Sequence, residues 1–234
     1  MTDPEPLRPA VLIPTYNNAG TLGEVLEGVL ERIDRAFVVD DGSTDDTVGV
    51  LERFAGRVEV HRRDQNGGKG SALRDGFRLL ADTGCTHAIT MDADGQHFAH
   101  DLPVFLEAVS NDRDALFVGQ RDMQGAGAPL RSRFGLQCSN RAFRLLTGVK
   151  LRDTQAGFRA YPLDAVQALD LRGCHYDLEM EVLIKAAWSG MPIQPVIIDV
   201  SYAPTHGRVS RFRPVTDFAR IGWMALRLLS DRRS

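Results

Sequence analysis

The stretch Ala88-Ile89-Thr90-Met91-Asp92-Ala93-Asp94-Gly95-Gln96-His97 decides the fold of this 234-residue chain, because a short apolar run ends there in two closely spaced carboxylates. Residues two apart point the same way in an extended chain, so we expect Asp92 and Asp94 to converge where a buried strand reaches the surface. Carboxylates this close repel each other unless a cation lies between them. Oxygen ligands suit Mg²⁺ or Mn²⁺, which also bind substrate phosphates. A strand followed by an acidic turn is the alternative.

Short apolar runs alternate with segments of helical periodicity in the first half of the chain. Strands are predicted over residues 10–14, 35–39, 58–61 and 87–91. Strands that alternate with helices indicate a parallel, doubly wound sheet, in which ligands bind at the carboxyl ends of the strands. Polar loops follow three of the predicted strands, at residues 14–18, 40–44 and 92–97. Their coincidence at one edge of the sheet is the physical argument for a site.

The second half of the chain is less regular. Strands are predicted over 115–119 and 195–202, helices over 131–147, 163–169, 177–188 and 214–231, and a mobile Gly- and Pro-containing loop over 124–129. Glu179 and Glu181 are expected on the surface of their helix.

The composition is that of an ordinary globular protein, with 43% hydrophobic and 25% charged residues. No linker divides the chain, so we expect one large domain. The net charge of -3 gives no indication of a nucleic-acid partner. The three cysteines lie far apart without C-x-x-C spacing, which favours a reduced, cytosolic protein. The first nine residues do not resemble a signal peptide, and no apolar stretch is long enough to span a bilayer.

The loop Gly67-Gly68-Lys69-Gly70 is neither of the two common phosphate-binding motifs. It lacks the first Gly of a P-loop, Lys69 is followed by Gly rather than Ser or Thr, and the pattern does not fit G-x-G-x-x-G. Backbone amides of the loop, or Lys69 itself, can still approach a nucleotide. A Gly-rich helix N-terminus without a ligand is the alternative interpretation.

Four further motifs accompany residues 92–97 in a fixed order: Pro14-Thr15-Tyr16-Asn17, Asp40-Asp41-Gly42-Ser43-Thr44-Asp45, Gly67-Gly68-Lys69-Gly70-Ser71-Ala72 and Asp153-Thr154-Gln155-Ala156-Gly157-Phe158-Arg159. Together they resemble the family 2 glycosyltransferases of the GT-A fold, in the branch of dolichol-phosphate mannose synthase and related polyprenyl-phosphate sugar synthases. The resemblance implies an α/β, Rossmann-like, mostly parallel sheet flanked by helices. It divides the chain into a flexible N-terminus (1–8), a GT-A domain (9–213) and an amphipathic C-terminal helix (214–234).

The resemblance also implies an inverting transfer of a hexose from a GDP- or UDP-sugar to polyprenyl phosphate. By position, Asp92, Asp94 and Gln96 hold Mg²⁺ or Mn²⁺, and Pro14, Tyr16 and Asp41 hold the base and ribose. The candidate catalytic residues are Asp94, Arg121 and Asp153. The candidate substrate-binding residues are Pro14, Tyr16, Asn18, Asp41, Lys69, Asp92, Ala93, Arg131, Arg133, Arg208 and Arg211. The family often has Glu at the position of Asn18, and its late Gly-x-Ser-Lys element is here Gly207-Arg208-Val209-Ser210-Arg211.

The acceptor depends on whether the site contains a general base. A hydroxyl acceptor needs a base to remove its proton, whereas a phosphate acceptor is already anionic. No dedicated base motif follows the metal motif, which favours a phosphate acceptor. Asp153 is the base candidate for a hydroxyl acceptor; otherwise it caps a helix or pairs with Arg159. His97 is expected beside the metal without binding it.

Two amphipathic segments are expected to face the lipid acceptor at the cytoplasmic face of the membrane. Residues 131–152 carry six basic and no acidic side chains, although a core helix with a solvated basic face has the same pattern. The C-terminal helix has an unusually wide apolar arc with Trp223, which suits an interface. Burial of that arc against a second subunit is the alternative.

Three other functions stay open at this point. A glycosyltransferase that acts on a hydroxyl of another lipid or glycan has the same donor motifs. A sugar-nucleotide pyrophosphorylase needs a Gly-rich, Lys-bearing loop near the N-terminus, where this chain has Pro-Thr-Tyr-Asn. A non-catalytic sugar-nucleotide-binding protein would have little use for an intact Asp92, Asp94 and Gln96 set.

Overall fold

A computed structural model describes residues 6–121, 130–199 and 214–231, which form a seven-stranded sheet covered by helices. The strands are β1 (Pro9–Thr15), β2 (Ala36–Asp40), β3 (Glu59–Arg62), β4 (His87–Thr90), β5 (Leu116–Arg121), β6 (Arg159–Pro162) and β7 (Ile193–Ile198). The helices are α1 (Leu22–Leu30), α2 (Thr47–Glu52), α3 (Lys69–Asp82), α4 (Leu102–Asn111), α5 (Leu130–Thr147), α6 (Leu163–Gln167), α7 (Asp177–Trp188) and α8 (Pro214–Asp231).

The strand order is β3-β2-β1-β4-β6-β5-β7, and β6 runs antiparallel to both of its neighbours. The other pairs are parallel. Thr15 pairs in register with Asp40, and Thr90 pairs with Arg159. The carboxyl ends of β1, β2 and β4 therefore meet the start of β6 at one edge of the sheet. The α/β, mostly parallel fold with polar loops at one edge is confirmed.

Both faces of the sheet are buried, as expected for parallel strands between helices. Val11 and Ile13 of β1 pack into one hydrophobic cluster with residues of α1, α2 and α4. Ala10 and Leu12 pack into the other with residues of α3, α6 and α7. Each buried aliphatic side chain contributes about 2 kcal/mol. This packing holds the polar loops on a rigid support.

Two of these elements were not predicted from the sequence, and several others begin or end at different residues than predicted. Strand β6 and helix α4 were not predicted. Strand β4 ends at Thr90, so Asp92 and Asp94 lie in a turn rather than in extended chain, and the alternation argument used for them is wrong in its premise. The predicted loop over 124–129 and the end of the last predicted strand, residues 200–202, lie outside the described residues.

Candidate active site

Asp92 lies in the turn after β4, and its carboxylate contacts Lys69, the first residue of α3. Lys69 Nζ lies 2.6 Å from Asp92 Oδ1 and 3.2 Å from each carboxylate oxygen of Glu179 in α7. Burial alone would lower the pKa of Lys69, but Asp92 and Glu179 raise it, and the net shift is upward. Lys69 is therefore a firmly charged cation between two carboxylates.

The turn that carries Asp92 and Asp94 has a donor set that fits a divalent cation. Burial raises the pKa of Asp92, but Lys69 and then His97 lower it, and the balance keeps the carboxylate ionised. Asp94 Oδ1 accepts the backbone N–H of Gln96 at 2.9 Å, and Gly95 turns the chain with a φ of 69°. Asp92, Asp94 and the Gln96 amide oxygen are hard ligands of the kind that Mg²⁺ and Mn²⁺ prefer. An ammonium already contacts Asp92, so the position attracts positive charge.

His97 is buried next to these charges. Its ring meets the Phe158 ring edge to face, with 5.6 Å between the ring centroids, and its Nδ1 has no hydrogen-bond partner among the described residues. Burial lowers the pKa of His97 to about 4; the Asp92 carboxylate opposes this shift, whereas Arg121 adds to it. The imidazole is therefore neutral at pH 7, and its expected position beside a metal stays a prediction.

Arg121 and Asp153, both candidate catalytic residues, form an ion pair with two hydrogen bonds. Arg121 Nε donates to Asp153 Oδ2 at 2.6 Å and Nη2 donates to Oδ1 at 3.0 Å. Asp153 is fully buried, and its Oδ1 also accepts the backbone N–H of Gln155. Arg159, the partner that the sequence offered for Asp153, instead donates to the backbone oxygens of Thr154, Ala156 and Glu179. The pair joins the end of β5 to the segment that leads into β6.

The loops after β1 and β2 are tied together where a nucleotide is expected. The backbone N–H of Asn17 donates to Ser43 Oγ, and the Asn17 side-chain oxygen accepts the backbone N–H of Thr44. Asn18 is bound in the same way, through its backbone N–H to Thr47 Oγ1. Pro14 is buried at the end of β1, and Tyr16 is half-buried beside it. The structure thus brings these candidate residues to one edge.

Asp41 fixes the glycine loop that precedes α3. Its carboxylate pairs with Arg63 and accepts the backbone N–H groups of Gly67 at 3.0 Å and Gly68 at 2.8 Å. A short contact also fixes Ala93, whose carbonyl oxygen accepts a hydrogen bond from Thr21 Oγ1 at 2.6 Å. Both residues therefore support the site through bonds to protein atoms, and their contacts with a nucleotide stay predictions.

Glu179 and Glu181 were expected on a helix surface, and that expectation is wrong. Glu179 is 7% exposed and Glu181 is 2% exposed. Each carboxylate is buried because it has a partner: Glu179 binds Lys69, whereas Glu181 binds Lys185 and the backbone N–H groups of residues 172 and 173. Helix α7 is covered by α3, α5 and α8, so few of its positions can face solvent.

A cluster of three side chains ties the end of β7 to the turn after the metal motif. His100 Nε2 lies 3.1 Å from Asp199 Oδ2 and 3.7 Å from Asp101 Oδ1, and Asp101 Oδ2 accepts the backbone N–H of Asp199. In the sequence, the segment with Arg208 and Arg211 follows Asp199. Those two arginines lie outside the described residues, as does the side chain of Arg131.

Two helices present apolar side chains to solvent. Phe134 and Leu145 of α5 are 70% and 87% exposed, and Trp223 and Leu226 of α8 are each 68% exposed. Arg133 of α5 is half-buried. Both helices contact α7. No helix in the described part of the chain is long and apolar enough to cross a membrane.

Comparison with known proteins identifies the family. Residues 10–169 match the family model described as Glycosyl transferase family 2. This chain belongs to glycosyl transferase family 2. The resemblance stated from its motifs is therefore confirmed, and the chain is a glycosyltransferase.

Two curated relatives of this glycosyltransferase cover most of its length. It is 31% identical to the polyprenol monophosphomannose synthase of Mycolicibacterium smegmatis, over 84% of this chain and 80% of that protein. It is 32% identical to the undecaprenyl-phosphate mannosyltransferase of Micrococcus luteus, over 82% of this chain and 83% of that protein.

A solved structure supports the fold. Glucosyl-3-phosphoglycerate synthase from Mycobacterium tuberculosis, in complex with Mn²⁺, UDP and phosphoglyceric acid, superposes with a TM-score of 0.70. The superposition covers 97% of this chain and 78% of that chain at 20% identity. At that identity the similarity shows a shared GT-A fold.

Proposed function

We propose that this glycosyltransferase transfers a hexose from a GDP- or UDP-sugar to polyprenyl phosphate, with mannose as the first candidate for the hexose. The names of its two mannosyl-transferring relatives support the sugar and the lipid phosphate. The observation that favours a phosphate acceptor is the ion pair between Arg121 and Asp153. Because both oxygens of Asp153 accept hydrogen bonds, this carboxylate is poorly placed to remove a proton from a hydroxyl. A phosphate acceptor needs no such base.

The reaction that we propose is an inverting displacement. An oxygen of the lipid phosphate attacks the anomeric carbon of the sugar, and the bond from that carbon to the nucleoside diphosphate breaks on the opposite face. Negative charge then grows on the leaving diphosphate. Preorganised cations at that position stabilise such charge without reorganisation during the reaction. Lys69, Arg121, Arg208 and Arg211 are the cations that we assign to this task.

Asp92, Asp94 and Gln96 are the residues that would hold Mg²⁺ or Mn²⁺ with the donor diphosphate. A bound divalent ion would add Lewis-acid stabilisation of the leaving group. Pro14, Tyr16 and the loop fixed by Asp41 would hold the base and ribose. The hydrogen bonds among Asn17, Ser43 and Thr44 hold the loops after β1 and β2 together without a bound nucleotide.

The lipid acceptor places the reaction at a membrane surface, and we propose the cytoplasmic face. The exposed Phe134, Leu145, Trp223 and Leu226 are apolar, and Arg141 and Arg144 lie exposed on the same α5. Apolar side chains next to basic ones favour binding in the interface of an anionic bilayer. Peripheral binding through α5 and α8 would bring the site to the phosphate headgroup.

Transfer assays with purified protein test this function. The protein is incubated with Mn²⁺, undecaprenyl phosphate and GDP-mannose, UDP-glucose or UDP-N-acetylglucosamine, and lipid products are measured by mass spectrometry. We expect transfer to the phosphate and none to undecaprenol, with full loss in EDTA. Asp94→Asn should reduce turnover at least about 100-fold through loss of a metal ligand. Asp82→Asn, an exposed carboxylate at the far end of α3, is the matched control and should keep full activity.

Other outcomes would support the alternatives. Transfer to undecaprenol or to a glycan hydroxyl would show an enzyme that uses a general base. Donor binding without transfer to any acceptor would favour a sugar-nucleotide-binding protein. Full activity in EDTA would contradict the metal assignment to Asp92 and Asp94.

A further inference from the structure

Lys69 contacts the Asp92 carboxylate and therefore competes with any other cation that binds Asp92. Its Nζ is 2.6 Å from Asp92 Oδ1, which is hydrogen-bond distance. The Lys69 side chain is only 14% exposed, so water screens its charge weakly. A divalent ion on the same carboxylate would lie close to an ammonium and would be repelled by it. Repulsion by the ion would therefore weaken the contact between Lys69 and Asp92.

Glu179 provides a second place for the displaced ammonium. Both Glu179 oxygens already lie 3.2 Å from Lys69 Nζ, so a small rotation of the lysine side chain would shorten those contacts. The Tyr176 ring, with its centroid 5.6 Å from Nζ, also attracts the ammonium. Arg159 Nη1 donates to the Glu179 backbone oxygen at 2.7 Å, which holds the backbone of Glu179 in the first turn of α7 next to Lys69. The Glu179 carboxylate is thus already within reach of the Lys69 ammonium.

We propose that Glu179 is a positioning residue that takes over Lys69 when a divalent cation binds Asp92. Without the ion, Lys69 contacts both carboxylates. When the ion binds, Lys69 moves closer to Glu179, and the Asp92 oxygen that it leaves binds the ion. Through this exchange Asp92 and Glu179 each have a cationic partner both with and without the ion. The inference rests on the proposed function in one respect, that a divalent cation binds Asp92.

A double-mutant cycle in Mn²⁺ affinity tests the exchange without any turnover. Mn²⁺ binding to the full chain is measured by calorimetry or by electron paramagnetic resonance of free Mn²⁺, with no nucleotide present. Glu179→Gln should weaken Mn²⁺ binding about tenfold while Lys69 is present, because Lys69 then has only Asp92 as a charged partner. Lys69→Met should strengthen binding. In the Lys69→Met background the effect of Glu179→Gln should shrink to about threefold or less, since no lysine remains to be placed.

The coupling between Lys69 and Glu179 in Mn²⁺ affinity shows whether Glu179 acts by positioning Lys69 or only through its own charge. If Glu179→Gln weakens Mn²⁺ binding equally with and without Lys69, Glu179 acts only through its own charge and the exchange is wrong. Glu181→Gln is the matched control, because Glu181 is a buried carboxylate of the same helix bonded to Lys185 rather than Lys69. It should leave Mn²⁺ affinity unchanged, and a loss as large as that of Glu179→Gln would overturn the assignment.

A measurement on the unmodified protein covers the case in which a variant fails to fold. The chain has three lysines, Lys69, Lys150 and Lys185, so lysine-selective ¹³C labelling gives three Cε signals. Added Mg²⁺ should shift the Lys69 signal and leave the other two in place, and an unmoved Lys69 signal would contradict the exchange. If wild-type protein binds Mn²⁺ but the double-mutant cycle shows no coupling between Lys69 and Glu179, only the exchange is contradicted. Wild-type protein that binds no Mn²⁺ contradicts the exchange and the metal assignment together.

Discussion

Gly157 lies so close to Asp92 that no side chain fits between them. A Cβ at residue 157 would stand 2.5 Å from Asp92 Oδ2 and 3.0 Å from Lys69 Nζ. The backbone oxygen of Gly157 also accepts a hydrogen bond from Thr90 Oγ1 at 2.7 Å, which fixes this segment against the end of β4. The position of the Asp92 carboxylate therefore depends on the absence of a side chain at residue 157.

Gly157→Ala is expected to weaken Mn²⁺ binding about tenfold or more, because the new methyl group must push the Asp92 carboxylate away from its place. Calorimetry without nucleotide measures the affinity. Gly20→Ala is the control, since a Cβ at that exposed position meets nothing within 4 Å. Equal Mn²⁺ affinity in Gly157→Ala and wild type would show that the ion site does not depend on the absence of a side chain at residue 157.

Asp153→Asn is expected to lower the free energy of unfolding by about 3 kcal/mol, because it leaves the largely buried Arg121 guanidinium without its carboxylate. For a chain of this size that loss corresponds to a Tm about 6 to 12 °C lower. Thermal unfolding by circular dichroism measures the change. Arg152→Gln, an exposed neighbour, should shift the Tm little. Adding Arg121→Met to Asp153→Asn should recover part of the loss, and a Tm unchanged by Asp153→Asn would show that the ion pair contributes nothing.

His87 makes stability depend on pH. Burial lowers its pKa below the usual 6.5, against the opposing bond to the Arg113 backbone oxygen, so the folded chain keeps this imidazole neutral. As the pH falls below about 6.5, His87 becomes protonated in the unfolded chain but stays neutral in the folded chain. The free energy of unfolding therefore decreases until the pH passes the lower pKa of the folded state. Chemical unfolding between pH 7.5 and 5 should show a smaller loss for His87→Gln than for wild type. A constant stability difference between the two proteins over that range would refute this.

The exposed flank of α8 gives a test of membrane binding that spares the core. Trp223→Ser together with Leu226→Ser should abolish flotation with anionic vesicles and leave the Tm unchanged, because both side chains are 68% exposed. Met224→Ser removes a side chain buried in the core and should lower the Tm. If wild-type protein never floats and the double variant instead splits an oligomer, α8 is a subunit contact and the membrane proposal is wrong.

Local patterns predicted most of the fold. Apolar runs such as residues 10–14 and 35–39 gave the parallel strands, because a strand buried on both faces is apolar throughout. Strand β6 was missed because it has only four residues and starts with Arg159, a charge that the sequence gives no reason to bury. Its burial depends on three backbone oxygens that the fold brings together. Helix α4 did carry a signal, in Leu102, Phe105, Leu106 and Val109 at helical spacing, that the sequence analysis did not use.

The site was predictable as a set of loops but not as a set of contacts. The resemblance predicted that Asp92, Lys69 and Asp153 all belong to the site. Some charged partners lie more than 30 positions apart in the sequence, as for Lys69 with Glu179 and Arg121 with Asp153. Glu179 was placed on the surface because an acid in a helix usually faces water. Only the coverage of α7 by α3, α5 and α8 reveals it as a buried partner.

The antiparallel β6 in the middle of the sheet also sets the order in which the protein can be assembled during synthesis. The first four strands are complete once the ribosome has passed Thr90, yet the neighbour of β4 appears only at residues Arg159–Pro162. Until then β4 is an open edge, the kind of surface that pairs with other chains. The nascent protein thus has an unpaired strand edge for some 70 residues of translation, along the strand that leads to Asp92.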